Sequence, residues 1–422
     1  MRAALHYGAC GSPGIPLTLE RLHMTSSKLI AAAALGLFAS PLAAQNSATT
    51  VSGAFITKLG SDTVAVERYT RSGGKLQGDM LLRSPRVRVY HYVADLGPNA
   101  MIKAVTVNMR PVGADSTTPP MMSLTTLLSD TVAAVDVARA GLPDTIASGK
   151  KIYHGSAVPQ IQFAPASYAV YEQVLRSSKL AGSDSVGYVV IAPGRGPSPT
   201  LWLSRRGRDS VVFNSTVFPG WIEVARVDGQ GRVLGVNSTA TTVKTLASRV
   251  DNVDFDKIAK GWAAAEVAHG RSGPMSPADT ARSSIGAAKI EVAYSRPSKR
   301  GRVIFGGDPV PWHKVWRTGA NAATQFTTSS DLIFGSTLVP AGKYTLWTIP
   351  TPTGATLIIN SQTGQWGTDY DASKDFTRVD LTTKTLATPV EQFTIGVVPQ
   401  GTGGVLRFSW DTTEYSIPFT IK

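Results

Sequence analysis

Trp312, His313, Trp316 and Arg317 fall within the six residues "WHKVWR", and Asn321 follows in "TGANAAT". Aromatic faces beside a guanidinium and a carboxamide can bind a sugar ring, a peptide or a polymer. The indoles supply flat apolar area, Arg a fixed fork of donors, and Asn both a donor and an acceptor. If the stretch is extended, Trp312, Lys314 and Trp316 share one face, while His313 and Val315 share the other. The same residues also suit an architectural end, in which the Trp pair closes a β core and Arg317 stacks on an indole or pairs with Asp308 or Asp331. All five form the candidate ligand-binding set. Within it, Trp316 is the better core residue, and Arg317 and Asn321 are the better ligand contacts. Trp347, Trp366 and Trp410 read as core or rim residues.

Other chemistries find little support in the sequence. His91, His154, His269 and His313 stand in separate segments, without the close spacing of metal ligands, so no metal and no cofactor is expected. "GRSGP" (Gly270 to Pro274) nearly spells a nucleophile elbow but has Pro where the final Gly belongs. Asp369, Asp371 and Asp375 in "GTDYDASKDF" are spaced somewhat like a calcium loop. They lack its central Gly and terminal Glu, and so read as a surface turn. No catalytic residue is identified.

These residues must be positioned mainly by strands. Period-two alternation begins at Ala54 in "GAFITKLGSDTVAVERYTRSGGKLQGDMLL" and recurs along the chain, broken by Gly-rich turns. Asp228-Gly229-Gln230-Gly231 is a hairpin turn. Helical periodicity is best in "ASYAVYEQVLRSS" (Ala166 to Ser178). The echo between Lys58–Glu67 and Arg205–Asn214 raises a duplication within the first half as an alternative. The fold class is mainly β. Residues 45–262 are expected to form a curved antiparallel sheet, half-barrel-like, with one or two short helices, loosely similar in strand rhythm to bacterial lipoprotein carriers. A linker rich in Ala, Ser, Pro and Gly is expected over 263–284, followed by an antiparallel β-sandwich over 285–422.

Residues 1–44 read as a leader. Lys28, the apolar run "LIAAAALGLFA" and the small residues before Gln45 have the order of a secretory signal peptide, too short for a membrane span. Translation is expected to start at Met24 and cleavage to fall near Ala44, which gives an exported, periplasmic or extracellular protein with no transmembrane segment in the mature chain. Cys10, the one cysteine, lies upstream, so the mature chain has neither disulfide nor thiol nucleophile. The net charge is +13, but the basic residues are scattered, with short clusters at "SRRGR" (Ser204 to Arg208) and "SKRGR" (Ser298 to Arg302). That pattern indicates solvated or anion-facing sheet surfaces and no specific nucleic-acid partner.

Five ordered blocks in the last third carry a resemblance: "YSRPSKRGRVIFGG" (Tyr294 to Gly307), "VPWHKVWRTGANAAT" (Val310 to Thr324), "VPAGKYTLWTIP" (Val339 to Pro350), "GQWGTDYDASKDFTRV" (Gly364 to Val379) and "EYSIPFTI" (Glu414 to Ile421). With these, Ala281–Lys422 resembles the bacterial domain-of-unknown-function family 2911 (DUF2911). It departs from the family at "SQTGQWG", where an Asn commonly precedes Gln-Trp-Gly. The resemblance implies no activity. The sequence as a whole reads as a non-enzymatic binding protein, with an apolar small molecule or lipid on the first sheet and an envelope polysaccharide or protein on the sandwich. The alternative is a hydrolase acting on envelope or extracellular polysaccharide, for which a carboxylate pair about 5–9.5 Å apart would be the mark.

Overall fold

A strand that alternates apolar and polar side chains buries one face, and the first half of the chain repeats this in fifteen strands of one sheet. In chain order they are β1 (Val51–Leu59), β2 (Asp62–Ser72), β3 (Lys75–Leu82), β4 (Arg88–Leu96), β5 (Ile102–Arg110), β6 (Met122–Leu128), β7 (Val132–Arg139), β8 (Gly149–Ile152), β9 (Ala157–Pro159), β10 (Ser185–Ile191), β11 (Thr200–Arg205), β12 (Ser210–Ser215), β13 (Trp221–Val227), β14 (Val233–Asn237) and β15 (Leu246–Val250). The computed structural model describes residues 50–422 except 142–147, 160–166, 179, 181–183, 195–197 and 217–219. Cys10, the Met24 start, the signal sequence and the cleavage point near Ala44 lie outside the described residues.

Strands β1 to β8 form one meander and β10 to β15 another, joined by antiparallel pairing of β1 with β15. Among the strands of the described residues, only β9 runs parallel to its neighbour, β10. The Asp228 turn joins β13 to β14 as expected, with the Asp228 carboxylate accepting from the backbone N–H groups of Gln230 and Arg232 and from Arg232 Nε. The Lys58 and Arg205 echoes fall on two hairpins, β1–β2 and β11–β12, of this continuous sheet.

The sheet curves round α1 (Tyr168–Ser177), the helix expected at 166–178. Tyr168, Ala169, Val170 and Val174 pack with Phe55, Phe213 and Val233 from the strands. Three buried carboxylates fix the helix. Glu67 on β2 accepts from Tyr92 Oη, Ser167 Oγ and the backbone N–H of Tyr168, so a negative charge meets the positive end of the helix. Burial pushes the Glu67 carboxyl upward against these hydrogen bonds. Glu172, on the helix, pairs with Arg71, Arg176 and Arg249. Glu223 on β13 accepts from Tyr171 Oη, Trp221 Nε1 and Ser238 Oγ. The concave face thus packs against α1 and its polar anchors, with a cleft of about 500 Å³ beside Gln173, Leu175 and Arg176.

A second helix, α2 (Phe255–His269), lies on the other face against Val66, Leu81 and Val87. It enters the segment expected to be a linker, and β16 (Ala278–Ile285) leaves it, so only 270–277 lacks regular structure. Phe255, Ile258, Ala259 and Trp262 stand at helical spacing on the packed face of α2, a stripe too short to set the helix apart from the Ala-rich segment that follows it.

The second half is a nine-stranded antiparallel sheet folded over its own core. Strands β16, β17 (Ala288–Ser295), β18 (Thr324–Thr328), β21 (Gly342–Thr351) and β22 (Gly354–Asn360) form one layer. In the other, β24 (Gly403–Ile421) meets β19 (Leu332–Phe334), which pairs with β20 (Thr337–Val339). Strand β23 (Asp375–Gln400) belongs to both: Asp375–Leu381 pairs with β22 and Thr382–Gln400 with β24. Val292, Phe326, Leu346 and Leu357 from one layer share a core with Phe334, Ile395, Leu406 and Phe408 from the other.

The two sheets meet where the β1–β2 turn docks on residues 298–302. Ser61 N–H donates to Arg300 O (2.9 Å), and Arg300 forms an ion pair with Asp62. Gly60 has φ +62, and a Cβ there would lie 2.1 Å from Arg300 O, so this turn admits only glycine at that point. Ser84 Oγ donates to Gly273 O (2.8 Å) and Val87 N–H to Glu266 Oε2 (2.7 Å), which ties the 270–277 segment and α2 to the first sheet. Among the described residues no helix is long and apolar enough to cross a membrane.

Candidate functional site

Between β17 and β18 the chain runs through turns, and His313, Thr318 and Asn321 all have positive φ (61°, 51° and 59°). A left-handed His313 interrupts strand alternation, so the expected sharing of faces within "WHKVW" does not arise. Thr318 is β-branched, and positive φ is a costly state for it, of the kind that persists where surrounding contacts impose it. Its hydroxyl donates to Thr348 Oγ1 (3.3 Å), and its carbonyl accepts from Thr324 Oγ1 (2.7 Å).

Trp316 anchors this loop. Its backbone exchanges two hydrogen bonds with Thr348 on β21 (2.8 and 2.9 Å), and its indole Nε1 donates to Gly319 O (3.1 Å). The ring is buried, stacked on Trp410 (5.9 Å, 21°) and edge-on to Phe393 (5.0 Å). This is the core role expected for it. Trp347 and Trp410 are buried as well, whereas Trp366 is exposed at the rim.

Next to that anchor, Arg317 points into a cleft at the junction of the two sheets with a volume of about 520 Å³. Its stem passes directly over Gly367, where a Cβ would lie 2.0 Å from Arg317 Cδ and 2.4 Å from Asn321 O. Gly367 N–H donates to that same Asn321 carbonyl (3.0 Å). Arg317 Nε is wholly covered and has no hydrogen-bond partner. Burial pushes the guanidinium down to about 10. The expected stacking on an indole, or pairing with Asp308 or Asp331, is not what the structure shows. The cation–π contacts and ion pairs among the described residues involve other side chains, and Asp331 accepts from Ala341 N–H (2.9 Å).

Across the cleft, the β14–β15 loop presents Lys244, with φ 53° and its ammonium donating to Thr239 O (2.9 Å). Burial pushes this ammonium down to about 8, and the charges of Arg317 and Arg302 add to the effect against a smaller opposing pull from Asp308. Arg300, Arg302 and Lys314 complete the cationic wall, with Trp316, Trp347, Tyr370 and Trp410 as its aromatic surface. Arg302 donates to Lys299 O (3.0 Å), and burial lowers its basicity. No Asp, Glu or His is among the described residues that line the cleft.

Of the five sequence candidates, Trp316, Arg317 and Asn321 line this cleft, and Trp312 and His313 do not. Trp312 is half-buried and stacked on Phe305 (6.3 Å, 18°). His313 is exposed, with its backbone N–H on Pro350 O (2.8 Å). Asn321 is exposed at the mouth, and its Nδ2 donates to Ser276 O (3.3 Å) and Ser295 Oγ (3.4 Å). The "SKRGR" cluster, read from sequence as solvated charge, supplies Arg300 and Arg302 to the wall. Nothing in the sequence signals Lys244, whose loop meets the sandwich only through the fold. Among the aspartates of the calcium-like stretch, Asp371 caps a short turn through Ser373 N–H (2.9 Å), and Asp375 is held by Tyr370, Asn360 and Arg378.

Residues 276–419 match the family described as protein of unknown function, DUF2911. The DUF2911 segment therefore begins ahead of β16 and supplies Arg300, Arg302, Lys314 and Arg317, while Lys244 comes from outside it. Four of the five blocks that carried the resemblance contribute to the cleft lining. No curated protein matches the chain. Among solved structures, a DUF1089 family protein from Pseudomonas aeruginosa is similar at 13% identity and a TM-score of 0.30, over 42% of this chain and 90% of that one. A double mutant of the vaccine antigen transferrin binding protein B from Haemophilus parasuis gives 10% identity and a TM-score of 0.11, over 90% and 76% of the two chains.

Proposed function

We propose that this is an exported, non-enzymatic binding protein whose ligand presents an anionic group to Arg317 in the cleft between the two sheets. The observation that carries the reading is the unpartnered guanidinium. A buried charge without a counter-ion is costly, and a bound anion would supply the missing partner. The aromatic surface beside it suits a ligand with a flat or apolar portion, such as an acidic polymer of the cell envelope. The N-terminal sheet acts in this reading as a scaffold that presents Lys244, with α1 packed on the face where an apolar molecule was expected. A hydrolase at this cleft is disfavoured, since none of the described residues lining it is a carboxylate or imidazole able to move a proton.

Retention on immobilised dextran sulfate, against neutral dextran, tests the reading. The wild-type protein should be retained, and Arg317→Met should elute at markedly lower salt than Lys384→Met, which removes the same charge from an exposed strand position. Equal elution of the two variants would reduce the attraction to bulk charge and overturn the site. Export rests on the Lys28 to Gln45 pattern, and the N-terminus of protein recovered from the cell envelope should lie near Gln45.

A further inference from the structure

We infer that the cleft takes a doubly charged oxyanion of the phosphate class, which bridges Arg317 of the sandwich and Lys244 of the first sheet. The inference rests on the reading of this cleft as the ligand site and adds the charge of the ligand and the second residue that holds it. Two cations from different sheets face the same space, close enough for the charge of Arg317 to disfavour protonation of Lys244. Their neighbours are engaged in part or exposed. Arg300 pairs with Asp62 while its Nε is buried without a partner, Arg302 donates to the carbonyls of Lys299 and Ser298, and Lys314 stands exposed at the rim. Asp308, the one acid that acts on Lys244, has a weaker influence on it than Arg317 does.

Lys244 commits one ammonium proton to Thr239 O, which leaves two to donate. The terminal nitrogens of Arg317 have no ion-pair partner among the described residues, and their planar pair of donors suits two oxygens of a phosphate or sulfate. A carboxylate would neutralise one of the two cations and leave the other buried beside it. A dianion with tetrahedral oxygens neutralises both and removes their mutual repulsion. Because a bound dianion favours the charged ammonium, affinity should be constant below about pH 8, where free Lys244 is protonated, and should fall as pH rises above it.

Calorimetric titration of the full chain with sodium sulfate tests this at constant ionic strength, because sulfate keeps both charges across the range from about pH 6.5 to 9.5. Wild-type protein should bind sulfate and inorganic phosphate at least about tenfold more tightly than acetate, and sulfate affinity should decline above about pH 8. Lys244→Met should weaken sulfate binding about tenfold and flatten the pH profile. Lys244→Arg should restore affinity without the decline. If Lys244→Met keeps wild-type affinity and the wild-type profile, or if wild type binds acetate as tightly as sulfate while Arg317→Met loses both, the dianion bridge is overturned and the Arg317 site stands. Absence of binding to any anion by wild type overturns the site and the bridge together. Sedimentation with phosphatidylcholine vesicles, with and without one-fifth phosphatidic acid, distinguishes the source. Retention only by phosphatidic acid supports the bridge with a lipid headgroup as the ligand, and binding of inorganic phosphate without retention supports it with a soluble phosphate.

Discussion

Arg317→Met should make the unliganded protein more stable, although it removes the side chain most suited to ligand contact. Burial lowers the guanidinium from its ordinary range to about 10, and at 1.36 kcal/mol per pH unit this corresponds to roughly 3 kcal/mol of cost for carrying the charge in the fold. The cost is fully present at every pH below about 10. Met keeps an unbranched stem of similar length over Gly367, so most of the packing survives while the charge goes. A net gain of about 1–3 kcal/mol follows, which in urea, at a slope of a few kcal/mol per M, is a rise of about 0.5–1 M in the midpoint. Tryptophan fluorescence, to which the buried Trp316–Trp410 pair contributes, reports the transition. With sulfate at about 100 times its Kd, the wild type should gain about 2.7 kcal/mol and the variant nothing, so the gap should nearly close. A lower midpoint for Arg317→Met would refute the reasoning, since it would mean that the guanidinium contributes to folding through a partner.

Trp316→Ala should cost roughly 3–5 kcal/mol, because a buried ring packed against Trp410, Phe393 and Phe305 leaves a cavity that its neighbours cannot fill; chemical denaturation measures it. Glu172→Ala should cost about 3–5 kcal/mol in the same assay by leaving Arg71, Arg176 and Arg249 without their shared carboxylate. A chain cut to residues 276–422 should give the far-UV spectrum and cooperative melt of a folded β domain, since the core of the second sheet is built entirely from residues within it. A cut at 285 should melt lower, because it strips β16 from β17 and opens a new edge.

Both the strand rhythm and the single core helix were legible because each leaves a local mark. Gly and Asp break the alternation at turns such as Asp228–Gly231, and Ala169, Val170 and Val174 repeat at helical spacing. The α2 helix left a weaker mark, since Phe255, Ile258, Ala259 and Trp262 repeat at helical spacing over only two turns before an Ala-rich stretch that resembles a linker. Within "WHKVWR" the residue types pointed to a site and the geometry did not follow from them, because positive φ at His313 turns the chain where alternation would have continued it. Trp316 was legible as core from its bulk. For Arg317, sequence alone offers several aspartates and indoles as partners, and only the fold shows that none of them reaches it. Lys244 was illegible for a different reason: it belongs to the site through the docking of two sheets, and no local pattern encodes that contact.

The ladder between β1 and β15 has a consequence for the order in which the molecule can be made. Lys58 meets Leu246, so one edge of the earliest strand stays open while nearly the whole first sheet is synthesised. Non-local pairing of this kind slows folding, and an unpaired edge invites pairing with another chain. A nascent chain therefore passes through a stage in which β1 to β8 are complete enough to pair with one another and β1 is still unguarded on one side. Holding the chain extended until Leu246 has emerged removes that stage.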